Sequence, residues 1–168
     1  SEYPSYPVRG RLRLSEDAAD FFKDEDAGVS ASNRLRGIVL HDILSQVSTA
    51  SDLKKAVDYA LMSGDLNADE ARTAFGLLAG ALKSVEDRGW FADDVQLMYN
   101  EASLIDTDGE IYRPDRVTVC GGKVVIVDYK FGEHQRKYEK QVRKYMDIWR
   151  RMGYEDVSGF LWYVDALT

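Results

Sequence analysis

The apolar residues of this chain change period part-way along it. Leu35, Ile38, Val39, Ile43 and Leu44 recur at the spacing of one helix face, so a helix is expected from Ser30 or Ser32 onward with that stripe buried. Residues 52–62 read as a further helix ended by Gly64. Asn67 with Glu70 three residues on makes a capping-box start for another, running to about Asp87. Upstream, Ser15 is placed to cap a short helix over residues 16–23.

After Gly89 the pattern becomes strand-like, with Val95, Leu97 and Tyr99 alternating against Gln96, Met98 and Asn100. Asp108-Gly109 and Gly121-Gly122 are two-residue hairpin signals. They predict three consecutive strands, residues 94–106, 110–120 and 123–130. The last is apolar on both faces from Val124 to Val127, as a central strand is. Residues 133–152 then read as a long basic helix closed by Gly153, and residues 157–164 as a final strand. The predicted class is α/β: helices, a three-strand meander, a helix, a strand.

At 168 residues and 45% hydrophobic content, one domain spanning residues 1–168 is expected, with a core of its own. No apolar stretch approaches the roughly 20 residues that span a bilayer, and no signal peptide is visible. The single Cys120 excludes an internal disulfide and an iron-sulfur cluster held by four cysteines of this chain. The expectation is a soluble, cytoplasmic protein with no membrane partner. A net charge of −7 argues against strong independent binding to nucleic acid, where Lys and Arg neutralise phosphates. The charge is segregated, however: residues 111–151 carry eleven Lys and Arg against five Asp and Glu. That distribution suits either a local anion-binding face or a solvated basic helix.

The chemistry concentrates on the hairpin-linked strands. Asp115 lies in Arg113-Pro114-Asp115-Arg116 and Asp128 in Asp128-Tyr129-Lys130. If those strands pair, both carboxylates come within reach of one ion. Asp128 and Lys130, two apart on a strand, share a face while Tyr129 points the other way. An Asp buried at the end of an apolar run without a partner costs roughly 3 to 5 kcal/mol, so a cation is expected beside it. A plain Asp128–Lys130 ion pair would account for this tripeptide as well. His41 lies on a helix that has to pack on the sheet, within reach of the strand acids, although a lone helical histidine is commonly structural. His134, at the head of the basic helix, is expected to be exposed. Gln141 and Tyr145 share a face of that helix, with Lys137 and Lys144 close by.

Taken in order, Arg36-Gly37 with His41, Arg113-Pro114-Asp115-Arg116-Val117, Asp128-Tyr129-Lys130-Phe131-Gly132, and Gln141 with Tyr145 resemble the PD-(D/E)xK nuclease superfamily. The resemblance is closer to the RecB/AddA-type nuclease domain at the C-terminus of UvrD-like helicase-nucleases. It covers about Arg34 to Tyr145, and Phe131 replaces the threonine more usual in its turn. It implies a restriction-endonuclease-like core with additional N-terminal helices, cut from a longer helicase-nuclease chain. The implied activity is metal-dependent hydrolysis of DNA, as an exonuclease in repair or recombination. Asp115, Asp128 and Lys130 would be catalytic. His41, Asp115, Asp128 and the Tyr129 backbone carbonyl would ligate Mg²⁺ or Mn²⁺, and Gln141, Tyr145 and Arg116 would hold the substrate. Glu101 is a candidate further ligand. No Gly-x-x-x-x-Gly-Lys-Ser/Thr loop is present, so single-stranded DNA would be delivered by a helicase motor elsewhere in the parent chain or in a partner. The competing expectation is a catalytically silent scaffold that keeps the nuclease fold.

Overall fold

The structure, a computed structural model, describes residues 31–95, 98–100, 104–105 and 107–164. The helix expected over residues 16–23 and the candidate ligand Glu101 lie outside them. The chain divides into two compact units, Ser1–Ile38 and Val39–Thr168. Of the first, residues 31–38 are described, as helix. Everything below concerns the second.

Helix α1 (Ala31–Ser45) buries Leu40, Ile43, Leu44 and the following Val47. These recur at i, i+3, i+4 and i+7, so the buried stripe is rotated from the expected one toward Leu40, and Val39 is only partly buried. A single 3₁₀ turn, Ala50–Asp52, leads into α2 (Leu53–Met62), and Gly64 follows with φ 81°. Helix α3 (Ala68–Ser84) opens on the predicted capping box. The Glu70 amide donates to the Asn67 side chain at 2.9 Å, and the Asn67 amide to the Glu70 carboxylate at 2.8 Å. It ends earlier than expected, because a 3₁₀ turn at Glu86–Arg88 and a left-handed Gly89 finish the segment.

The meander forms, and its middle strand is interrupted at residues 113–115. The described segments are β1 (Met98–Asn100), β2 (Leu104–Ile105), β3 (Ile111–Tyr112), β4 (Arg116–Cys120) and β5 (Lys123–Lys130). β1 pairs with β4, and β2 with β3, in the same register: Asn100 opposes Arg116 and Leu104 opposes Tyr112. The expected strand over residues 110–120 is broken at residues 113–115, where Pro114 lacks the N–H a ladder requires. Asp115 therefore sits in a non-strand stretch at the head of β4. After α4 (Arg136–Arg151), β6 (Asp156–Tyr163) returns parallel to β5, giving a sheet of order β1-β4-β5-β6.

The fold is mixed α/β, with helices on both faces of the sheet. Val127, Tyr129, Trp162 and Val164 pack with α1, α2 and α3, while Val117, Val124, Ile126 and Val157 pack with Tyr145 and Trp149 of α4. Strand alternation thus sends Tyr129 to one layer and Asp128 with Lys130 to the other. Gly159 of β6 lies directly beneath α4: a Cβ there would come 2.5 Å from Val142 Cγ1 and 2.6 Å from Met146 Sδ. No described helix is long and apolar enough to cross a membrane.

Candidate active site

The β4–β5 register pairs Arg116 with Val127, so one step further Asp115 stands across from Asp128. The carboxyl groups are buried, Asp115 at 2% exposure and Asp128 at 0%. His41 Nε2 lies 2.7 Å from Asp115 Oδ1, and the Tyr129 amide donates to Asp115 Oδ2 at 2.6 Å. On the far side, Lys130 Nζ lies 2.9 Å from Asp128 Oδ2, donates to Gln141 Oε1 at 3.3 Å, and sits 4.2 Å from the centre of the Tyr138 ring. The result is a row: His41, Asp115, Asp128, Lys130.

Burial by itself would push the Asp115 carboxyl up. The charge of His41 and its hydrogen bond, then hydrogen bonding with the Asp128 side chain and the charge of Lys130, outweigh it and hold Asp115 below the usual carboxylate range. Tyr129 contributes its amide to this row. Its ring belongs to the core, edge-on to His41 and Trp162 with centroids 5.9 and 5.6 Å away, and burial pushes its phenol well up, so it stays neutral. Among the described residues, no group of three or more His, Cys, Asp or Glu side chains is gathered around one point as a metal cage would be.

The sequence-derived substrate residues separate. Gln141 joins the row through Lys130. Tyr145 is only 2% exposed and packs edge-on to Tyr112, so its ring is part of the core under α4 rather than an open DNA contact. Arg116 is a clear correction: it is fully buried and meets no surface a substrate can reach. Its Nε donates to the Trp90 carbonyl at 2.9 Å, Nη1 to Val47 at 3.0 Å and Nη2 to Ser48 at 2.5 Å, and its guanidinium lies 4.0 Å from the Phe91 ring centre. The Tyr129 hydroxyl is nearby without an aligned hydrogen bond. With its guanidinium committed to these carbonyls, Arg116 does not join the row.

His134 is exposed, as expected, and pairs with Glu139 at 3.0 Å. Lys144 reaches Glu110 at 3.2 Å and the Tyr112 ring at 4.5 Å, tying α4 to the β2–β3 ribbon instead of to the row. Tyr138 was not foreseen. Its signal was its place three residues before Gln141, on the same helix face. No family model matches this chain, and no curated protein does.

Proposed function

We propose that this chain is a divalent-metal-dependent DNA nuclease with a restriction-endonuclease-like core, acting as an exonuclease within a helicase-nuclease of DNA repair or recombination. The observation that carries the reading is the buried row of two facing carboxyl groups with an imidazole at one end and an ammonium at the other. Nothing in packing alone calls for two acids side by side in a core. Their oxygen-rich donor set, with one imidazole, suits Mg²⁺ or Mn²⁺, and His41, Asp115, Asp128 and the Tyr129 carbonyl would hold the ion. When bound, it supplies an acidified water and charge neutralisation at the scissile phosphate.

The chain's own residues do the rest. Asp115 and Asp128 present fixed negative charge in a site closed to bulk water. Lys130, a compact ammonium held by Asp128, Gln141 and the Tyr138 ring, stabilises charge that develops on the phosphate oxygens. Gln141 orients Lys130. Exposed basic residues on α4, among them Arg136, Lys140 and Arg143, offer the DNA backbone a place to lie, and their number suits single strands handed over by a motor.

A labelled single-stranded oligonucleotide with Mg²⁺ or Mn²⁺ tests the reading. The wild type is expected to cut it and EDTA to stop the reaction, with Asp128→Ala slower by about a thousandfold; equal cutting by wild type and variant overturns it. One observation favours a second reading, a silent nuclease-fold scaffold that binds DNA or partner subunits. The acids are already covered by His41 and Lys130, and no described cage of three ligands stands ready. Calorimetry separates the two: a saturable Mn²⁺ site lost in Asp115→Asn belongs to the nuclease, its absence in the wild type to the scaffold.

A further inference from the structure

We infer that Arg116 is a positioning residue, a clamp that fastens the end of the His41 helix to the head of β4 and so sets the His41–Asp115 contact. Arg116 follows Asp115 directly in the chain and opens β4. Two of the three carbonyls it bonds, at Val47 and Ser48, belong to the chain immediately beyond α1. His41 lies only six residues before Val47, about 9 Å along a helix. The third carbonyl, at Trp90, fixes the turn after α3 on the same guanidinium. One planar fork thus joins three segments far apart in sequence, a task for which an ammonium lacks both the reach and the fixed geometry.

The corner at residues 47–49 is gripped from its other side as well. The Ser48 and Thr49 amides donate to the Asp52 carboxylate at 3.1 and 2.9 Å. Carbonyls to Arg116 and amides to Asp52 leave the corner little room to move, and Asp52 lies close enough for its charge to favour the ionised guanidinium. Apolar packing of Leu40, Ile43 and Leu44 seats α1 on the sheet but does not choose its depth to a fraction of an ångström. The Arg116 bonds, being directional, do.

The catalytic consequence rests on the nuclease reading, but the contact does not, so the first readout is made without DNA or metal. The chain has two histidines, His41 and His134, and their imidazole ¹H–¹⁵N signals are readily told apart. Asp115→Asn supplies the reference spectrum for a disturbed contact. In Arg116→Gln and in Asp52→Ala, the His41 signals are expected to move toward that reference while those of His134 stay in place. Val57→Ala, which only loosens the core between α2 and α3, is expected to leave both unchanged. Should Arg116→Gln fail to fold, the half-buried Asp52 carries the test through Asp52→Ala. With substrate and Mn²⁺, the same two variants are expected to lose about ten- to a hundredfold in kcat with little change in KM.

Folded variants whose His41 signals coincide with wild type overturn the clamp, whatever the cleavage assay reports. A wild type that never cuts DNA overturns the nuclease reading alone.

Discussion

Arg116, next to Asp115 in the chain, and Lys130, paired with Asp128, are both buried cations, and they are held in different ways. Arg116 spends its guanidinium on backbone carbonyls at Val47, Ser48 and Trp90, which have no charge to exchange and nowhere to go. Lys130 meets side chains that can move: a carboxylate, an amide oxygen and an aromatic face. Backbone partners make a joint of the first cation. Side-chain partners, each able to turn, leave the second able to follow a change in charge. Burial therefore does not separate scaffold from chemistry here; the nature of the partner does.

The comparison breaks most sharply at Arg116. Arg116→Met strips three carbonyls of their donor and is expected to destabilise the fold by about 3 kcal/mol or more. Thermal unfolding should register this as a drop of roughly 6 to 12 °C. Lys130→Met is expected to slow cleavage by about a hundredfold while leaving Mn²⁺ binding intact or tighter, since a competing cation has gone. Parallel kinetics and calorimetry check it, and loss of metal binding together with activity would erase the distinction between the two cations.

A smaller effect sharpens the account of the acids between them. Asp115 titrates below an ordinary carboxyl in the folded protein, so its ionised form adds stability above the unfolded carboxyl value of about 3.9. That contribution is lost as pH falls through the folded value. Urea midpoints measured from about pH 5 down to pH 3 are expected to fall more steeply for wild type than for Asp115→Asn.

What the sequence made legible was local. The Asn67–Glu70 box, the Gly121-Gly122 hairpin and the apolar run of β5 are decided by residues a few positions apart, and each stands where expected. The pairing of His41 with Asp115 across 74 positions was also anticipated, because a helix facing a sheet limits where an imidazole can go. The break at Pro114 was written in a single residue but was passed over for the longer alternation around it. The partners of Arg116 were out of reach, since they are carbonyls 26 to 69 residues away and carbonyls carry no sequence signature.

Gly159 has a consequence for Gln141. Because β6 presents bare backbone there, α4 rests on it at a depth no side chain can cushion, with Val142 at the point of support. Gln141 is the residue just before it on the helix. A single added methyl would act as a wedge under a fulcrum, tipping the Gln141 amide away from Lys130 without touching either. The hydrogen bond at the mouth of the row is thus governed from beneath, by the thickness of one strand.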